Sequence, residues 1–302
     1  MKVISFIKNF IIYFCLSFVG IIAISYLYSL IDPGAGTVVW SQAVTTSTIL
    51  GIIIPIVKKL QKPPDEAAQR KTMEGKLNKG GILVILAPFR MLIATAVIFF
   101  WTAGRVDIFQ GWLYFSVCLI GAIAGGVIMW KFAPELANHR ASVKDGTKIW
   151  DKVFLVIYTI LLLLFPAVAG LDVGRFQWSK LGVPYVIVGI VLALAKFVLW
   201  HWAIVTNKHL EATVRIQKDR NHKVITDGPY RFIRHPGYLA IILGTLAGSF
   251  IIGSVYSLIP AAIIIVAIII RTYLEDRTLQ NEFAGYSEYV KKTRYRLVPG
   301  VW

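Results

Sequence analysis

The side chains able to do directed chemistry are concentrated after residue 206: His209, Glu211, Arg215, Gln217, His222, Tyr230, Arg231, Arg234 and His235, then Arg271, Glu275 and Asp276. Two turns stand among them. Asp227-Gly228-Pro229-Tyr230 has Gly-Pro turn chemistry, and Arg234-His235-Pro236-Gly237 puts a proline where a helix can open, a position that tolerates its missing N–H. A helix starting at Pro236 would aim free N–H groups and its positive dipole end at the preceding loop, where an anionic carboxylate could be held. Arg271 and Glu275 are four residues apart and share a helix face. Such a pair either braces the helix or clamps a ligand, Glu275 taking an amine and Arg271 a carboxylate by bidentate hydrogen bonding. Spacing alone leaves both open.

The elements that must position these groups are membrane helices. The chain has 302 residues and is 57% hydrophobic, above the roughly 45–50% apolar content of soluble domains. Apolar runs at 3–30, 38–57, 82–101, 111–130, 153–171, 181–205, 238–253 and 260–270 predict about eight transmembrane or membrane-embedded helices in an all-α, polytopic fold. The seventh run would reach only about 24 Å at 1.5 Å per residue, short of a full crossing. It reads as half of a hairpin with the eighth, which continues into polar sequence.

Charge sets the expected orientation. With a cytoplasmic N-terminus, 27 of the 32 Lys and Arg fall in inside segments, so both termini and the polar cluster are expected at the cytoplasmic face. The same bias accounts for the net charge of +16 without a nucleic-acid partner. Lys2 and Lys8 precede an apolar run longer than a signal core, which reads as a retained anchor. Residues 61–80 are rich in Lys, Glu, Gln and Pro and read as a basic linker, making 1–80 an accessory two-helix hairpin ahead of a main domain over 81–302. Cys15 and Cys118 sit in apolar runs as packing residues. No metal site is expected. Dinucleotide, P-loop and zinc motifs are absent from the sequence.

Arg90, Lys196 and His201 fall inside predicted spans, where ionisable groups are costly and face a bundle interior or cavity; their roles are not given by spacing. His139 and His209 read as loop residues.

The ordered motifs resemble a known family. Thr213-Val-Arg-Ile-Gln217, His222-Lys-Val-Ile225, Gly228-Pro-Tyr230 and Arg234-His-Pro-Gly-Tyr238, then Arg271-Thr-Tyr-Leu-Glu-Asp276 and the tail Tyr295-Arg-Leu-Val-Pro-Gly-Val-Trp302, are similar to isoprenylcysteine carboxyl methyltransferases and related phospholipid methyltransferases. Ala133-Pro-Glu-Leu136, Asn138-His-Arg140 and Lys148-Ile-Trp-Asp-Lys152 resemble the corresponding region of bacterial-type members, whereas the first 80 residues show no such likeness.

The resemblance implies an S-adenosylmethionine site over 206–302. Gln217, His222, Lys223, Val224, Ile225, Tyr230, His235, Pro236, Gly237, Tyr238 and Glu275 would bind that cofactor, and Arg271 would position the acceptor. The acceptor would be a lipid-like or prenylated molecule drawn from the membrane, methylated on a carboxylate. Departures from the family pattern are Asp276 in place of a second Glu and a short Gln217-to-His222 connection. Phospholipid headgroup N-methylation, which would favour a nearby base, stays open at this point, as does a non-catalytic binding or transport role.

Overall fold

The computed structural model describes residues 77–141, 145–220 and 222–302, which lie in one compact unit, Glu66–Trp302. The first two predicted spans, and the accessory hairpin and linker apart from 77–80, lie outside the described residues. Those described are helical, with no strand among them.

Helix α1 (Lys79–Ala103) opens on Asn78, whose side chain accepts the Gly81 N–H at 2.8 Å, a standard way to satisfy a free helix donor. It is followed by α2 (Phe109–Phe132), the short α3 (Pro134–His139), α4 (Ile149–Gly170), α5 (Val183–Thr206), α6 (Pro236–Ile252), α7 (Leu258–Glu282) and the short α8 (Tyr286–Lys292). A wider π turn, Leu171–Phe176, extends α4. Each predicted span from 82 onward is found, lengthened by a few residues at one or both ends or shifted by about two, except that the last continues twelve residues past 270, into the polar sequence. The helices α1, α2, α4 with its π turn, α5 and α7 are long and apolar enough to cross a membrane, while α6 is a shorter apolar helix. The chain is an integral, multi-pass membrane protein.

Apolar side chains cover the outside, as in Ile93, Ile187 and Val266, because lipid supplies no reason to hide them. Helix association then rests on close packing. At Gly189 of α5 an added Cβ would lie 2.9 Å from the Ile251 nitrogen and 3.1 Å from the Ala247 carbonyl of α6. Only a residue without a side chain allows that approach. Beneath the polar cluster, Phe154 and Leu161 of α4 pack on Ile264 and Ile268 of α7.

The two ends of the bundle differ. At one end the α6–α7 turn is tied to the π turn: Asp172 Oδ2 accepts the Ser254 hydroxyl and the Tyr256 N–H, and Ser257 Oγ donates to Ser249 Oγ at 2.9 Å. Asp172, Ser249, Ser254 and Ser257 are all fully buried. At the other end, the 207–235 connection, the end of α7 and α8 converge on one cavity, with the C-terminal tail tied to the connection behind it.

Candidate active site

The local folding of the connection follows from its sequence. Asn207 ends α5 and its Oδ1 accepts the His209 N–H at 2.8 Å, turning the chain sharply. Gly228 begins a 3₁₀ turn (Gly228–Arg231) with φ +57°, and a Cβ there would meet Thr206 Oγ1 at 2.6 Å. Pro236 is the first residue of α6, with His235 as the preceding cap residue. Tyr230 is buried, accepts the Asn207 Nδ2–H at 3.0 Å, and offers its carbonyl to Tyr289 at 2.7 Å. Burial pushes its phenol pKa upward, so it acts here as a neutral hydrogen-bonding group.

A cavity of about 490 Å³ is lined by all twelve residues expected at the site: Arg271, Gln217, His222, Lys223, Val224, Ile225, Tyr230, His235, Pro236, Gly237, Tyr238 and Glu275. That size suits a cofactor or drug-sized ligand. Tyr238 donates its hydroxyl to Glu275 Oε2. Gln217 is buried and doubly fixed, its amide donating to the His209 carbonyl at 2.7 Å while its Oε1 accepts Arg220 Nη1 at 3.0 Å.

Several partners were not legible as site residues in the sequence. Arg271 does not pair with Glu275; its Nη2 meets Asp151 Oδ1 at 2.9 Å and donates to the Ala212 carbonyl at 2.8 Å. Its guanidinium carbon lies 4.5 Å from the Phe154 ring centroid and 5.2 Å from that of Tyr238. Asp151 is fully buried and also accepts the Val214 N–H at 2.7 Å, so one carboxylate joins the start of α4, the connection and α7. Its signal was an acid in the first turn of an apolar helix, within Lys148-Ile-Trp-Asp-Lys152. Arg140, at the end of α3, reaches the Leu210 carbonyl at 2.7 Å and lines the cavity. Burial, helped by the nearby Arg271 charge, lowers its pKa to about 10.

His209 is a loop residue, as expected, but a buried one facing the same cavity. Its ring lies 4.7 Å from that of His222, which stacks on Phe283 at 4.2 Å. Burial lowers the pKa of both, that of His222 to about 4 with His209, Arg220 and Arg215 adding to the effect. Both imidazoles are therefore neutral near pH 7. The folded-state value lies below the unfolded one of about 6.5, so between these values the unfolded chain binds a proton the folded chain refuses. Stability should fall as pH drops through that window from pH 7.5 to pH 5, by less than the roughly 2 kcal/mol of a fully buried group because His222 is partly open to solvent. Across that range the wild type should lose stability relative to His222→Phe as the pH falls; melting curves that stay parallel would show that His222 is not the titrating group.

Outside the cavity wall proper, Asp276 is fully buried and gathers Arg234, His235, Gln280, Tyr286 and Arg296. Its role is to hold the walls together. The chain from Arg234 is further tied to the tail, with the Arg234 and His235 N–H groups each donating at 2.9 Å to the Tyr295 and Arg296 carbonyls.

Comparison with known proteins places this region in context. Residues 187–282, from α5 to the end of α7, match the model of the isoprenylcysteine carboxyl methyltransferase (ICMT) family. Two curated proteins, from Oryza sativa subsp. indica and subsp. japonica, each described as a probable protein-S-isoprenylcysteine O-methyltransferase, are 26% identical over 108 residues, 35% of this chain and 56% of the relative. The chain thus spans little more than half the length of those relatives. A solved structure of the eukaryotic intramembrane Ras methyltransferase ICMT, without a monobody, aligns over 98% of this chain and 96% of that one at 17% identity and a TM-score of 0.43. The family likeness read from the motifs is matched by the family model over α5, the connection, α6 and α7, which supply part of the cavity lining.

Proposed function

We propose, from the premise that the α5-to-α7 region is of the isoprenylcysteine carboxyl methyltransferase type, that this chain transfers a methyl group from S-adenosylmethionine to the carboxylate of a lipid-like, prenylated acceptor. The observation that carries the reading is that every residue carried over by motif lines one cavity, built jointly from membrane helices and a polar connection. The relatives' names favour oxygen over nitrogen as the receiving atom.

The residues present fit the cofactor's chemistry. Glu275 offers a carboxylate to an amine, Arg140 offers a half-buried cation to a carboxylate, and the stacked His222 and Phe283 rings offer a flat shelf to an aromatic base. Bound S-adenosylmethionine would supply an already activated sulfonium methyl. What remains for the protein is alignment, which can itself account for several powers of ten in rate. An acceptor carboxylate is ionised near neutral pH, so no strong base is needed. Arg271, braced by Asp151 and the Ala212 carbonyl, would orient that carboxylate, and the apolar walls from Leu155, Tyr158 and Ile241 would receive the tail and exclude water.

The test is direct. Purified protein should bind S-adenosylmethionine and its demethylated product at one site by calorimetry, and labelled cofactor should mark a membrane lipid or prenylated acceptor with a base-labile methyl ester. Absence of cofactor binding by folded protein would sink the reading. The site is placed at the cytoplasmic face, with both termini on that side, on the distribution of Lys and Arg. Reporter fusions after Lys152, Asp227 and Trp302 should all report cytoplasm; an external signal at Asp227 would reverse the orientation.

A further inference from the structure

Of the ionisable residues that the sequence places inside spans, two are satisfied within their own helices. Arg90 Nη2 donates to the Leu83 carbonyl at 3.2 Å, and His201 Nδ1 lies 2.8 Å from the Phe197 carbonyl. Lys196 is different. It stands ten residues before the end of α5 at Thr206, about 15 Å along the helix axis. Among the described residues it has no hydrogen bond and no ion pair, and the group on a neighbouring helix that it feels electrostatically is the Cys118 thiol of α2, not a carboxylate. It nevertheless lines the cavity, beside Tyr158 of α4 and Ile241 of α6.

Its placement is built in. The aliphatic stem lies across Gly244 of α6, where an added Cβ would sit 3.1 Å from the Lys196 Cγ and 3.5 Å from its Cε. An uncompensated ammonium inside an apolar span is unfavourable for insertion, and such residues characteristically serve a ligand or a pathway. Arg271, which also lines the cavity, already has its charge matched by Asp151 at 2.9 Å. Arg271 can therefore give an incoming anion direction, but little net charge. With Arg140 offered to the cofactor carboxylate, Lys196 is the lining cation within a span left to supply it.

We infer that Lys196 is a specificity-determining residue: its ammonium pairs with the negative group of an amphiphile whose apolar tail lies between α4, α5 and α6. On the function proposed above, that negative group is the acceptor carboxylate, and in this respect the inference rests on that reading. The pairing selects a free acid over a neutral analogue. It also selects against release of charge-neutral product being slow, because the methyl ester loses the attraction that held the acid.

Two ligands that differ only in this charge test it: S-farnesyl-N-acetylcysteine and its methyl ester, measured for binding to the full chain in nanodiscs of neutral lipid. Wild type should hold the free acid at least tenfold more tightly than the ester. Lys196→Met should lose that preference with the ester's affinity unchanged, and Lys196→Arg should keep most of it. Lys196→Met should also melt no lower than wild type, since it removes an unpaired charge from a span. A preference that survives in Lys196→Met, no preference in wild type, or a lowered melting temperature restored by Arg would overturn the inference. Methyl transfer to the free acid is scored separately in wild type: a charge preference without transfer would refute the proposed reaction and leave the anion site standing.

Discussion

Asp276→Asn should cost about 3–5 kcal/mol, the usual penalty for removing one member of a buried ion pair, and lower the melting temperature by roughly 10 °C. The carboxylate is fully buried and receives Arg234 Nε at 2.8 Å and Nη2 at 3.0 Å, Arg296 Nε at 2.8 Å, the Tyr286 hydroxyl at 2.9 Å and Gln280 Nε2 at 2.9 Å. An amide at this position neutralises the charge and turns one acceptor into a donor facing other donors. Arg234, almost without solvent, is left uncompensated. Asp276→Glu keeps the charge but moves the carboxylate by one methylene relative to its fixed donors, so it should fall between wild type and Asn. Thermal melting in detergent provides the measurement, and an Asn variant as stable as wild type would show that Asp276 does not hold the tail.

Arg271→Lys and Glu275→Gln should fail in different ways. Arg271 contacts Asp151 and the Ala212 carbonyl through a planar guanidinium held over Phe154 and Tyr238. Lysine keeps the charge but not the fork or the stacking. Methyl transfer should drop about a hundredfold, as expected when a reacting group is displaced by about an ångström, while cofactor affinity stays within about threefold. On the proposed function, Glu275→Gln would instead weaken a charge-assisted contact to the cofactor amine and should reduce affinity about tenfold or more. Calorimetry and initial rates on equally monodisperse samples separate the two. Equal loss of cofactor binding in both would assign Arg271 and Glu275 to support of the helix; undiminished transfer by Arg271→Lys would remove it from acceptor positioning.

The long helices from residue 79 onward were legible because uninterrupted apolar runs and the punctuation at Pro236 and Gly253 mark them in one dimension, whereas the short α3 and α8 carry no such run. So were twelve of the cavity-lining residues, ten of which fall in the turns and ordered motifs between Gln217 and Tyr238. Tertiary pairing was not. Asp151 meets Val214 across 63 positions, Arg140 meets Leu210 across 70, and Arg234 meets Asp276 across 42. Nothing in helical periodicity specifies which acid on one helix will face which base on another. The i,i+4 spacing of Arg271 and Glu275 correctly put them on one cavity, yet each found a partner from a different helix, because Asp151 and Tyr238 approach from the packed side. Acids embedded in apolar sequence were the available signal for Asp151.

The seal at the α6–α7 turn bears on bilayer thickness. Helix α6 has 17 residues, about 25 Å of rise, and therefore falls short of a typical hydrocarbon core of about 30 Å. A turn ending at that depth would ordinarily carry bare amides into lipid, which is prohibitive. Here the N–H groups of Gly253 and Ser254 go to the Ser249 carbonyl, that of Val255 to Ser179 Oγ, that of Tyr256 to Asp172 and that of Ser257 to Ser254 Oγ. With its backbone donors internally matched, the turn has no need to reach water. The hairpin can remain at one depth as the surrounding bilayer thickens or thins, leaving the longer helices to absorb the mismatch by tilting.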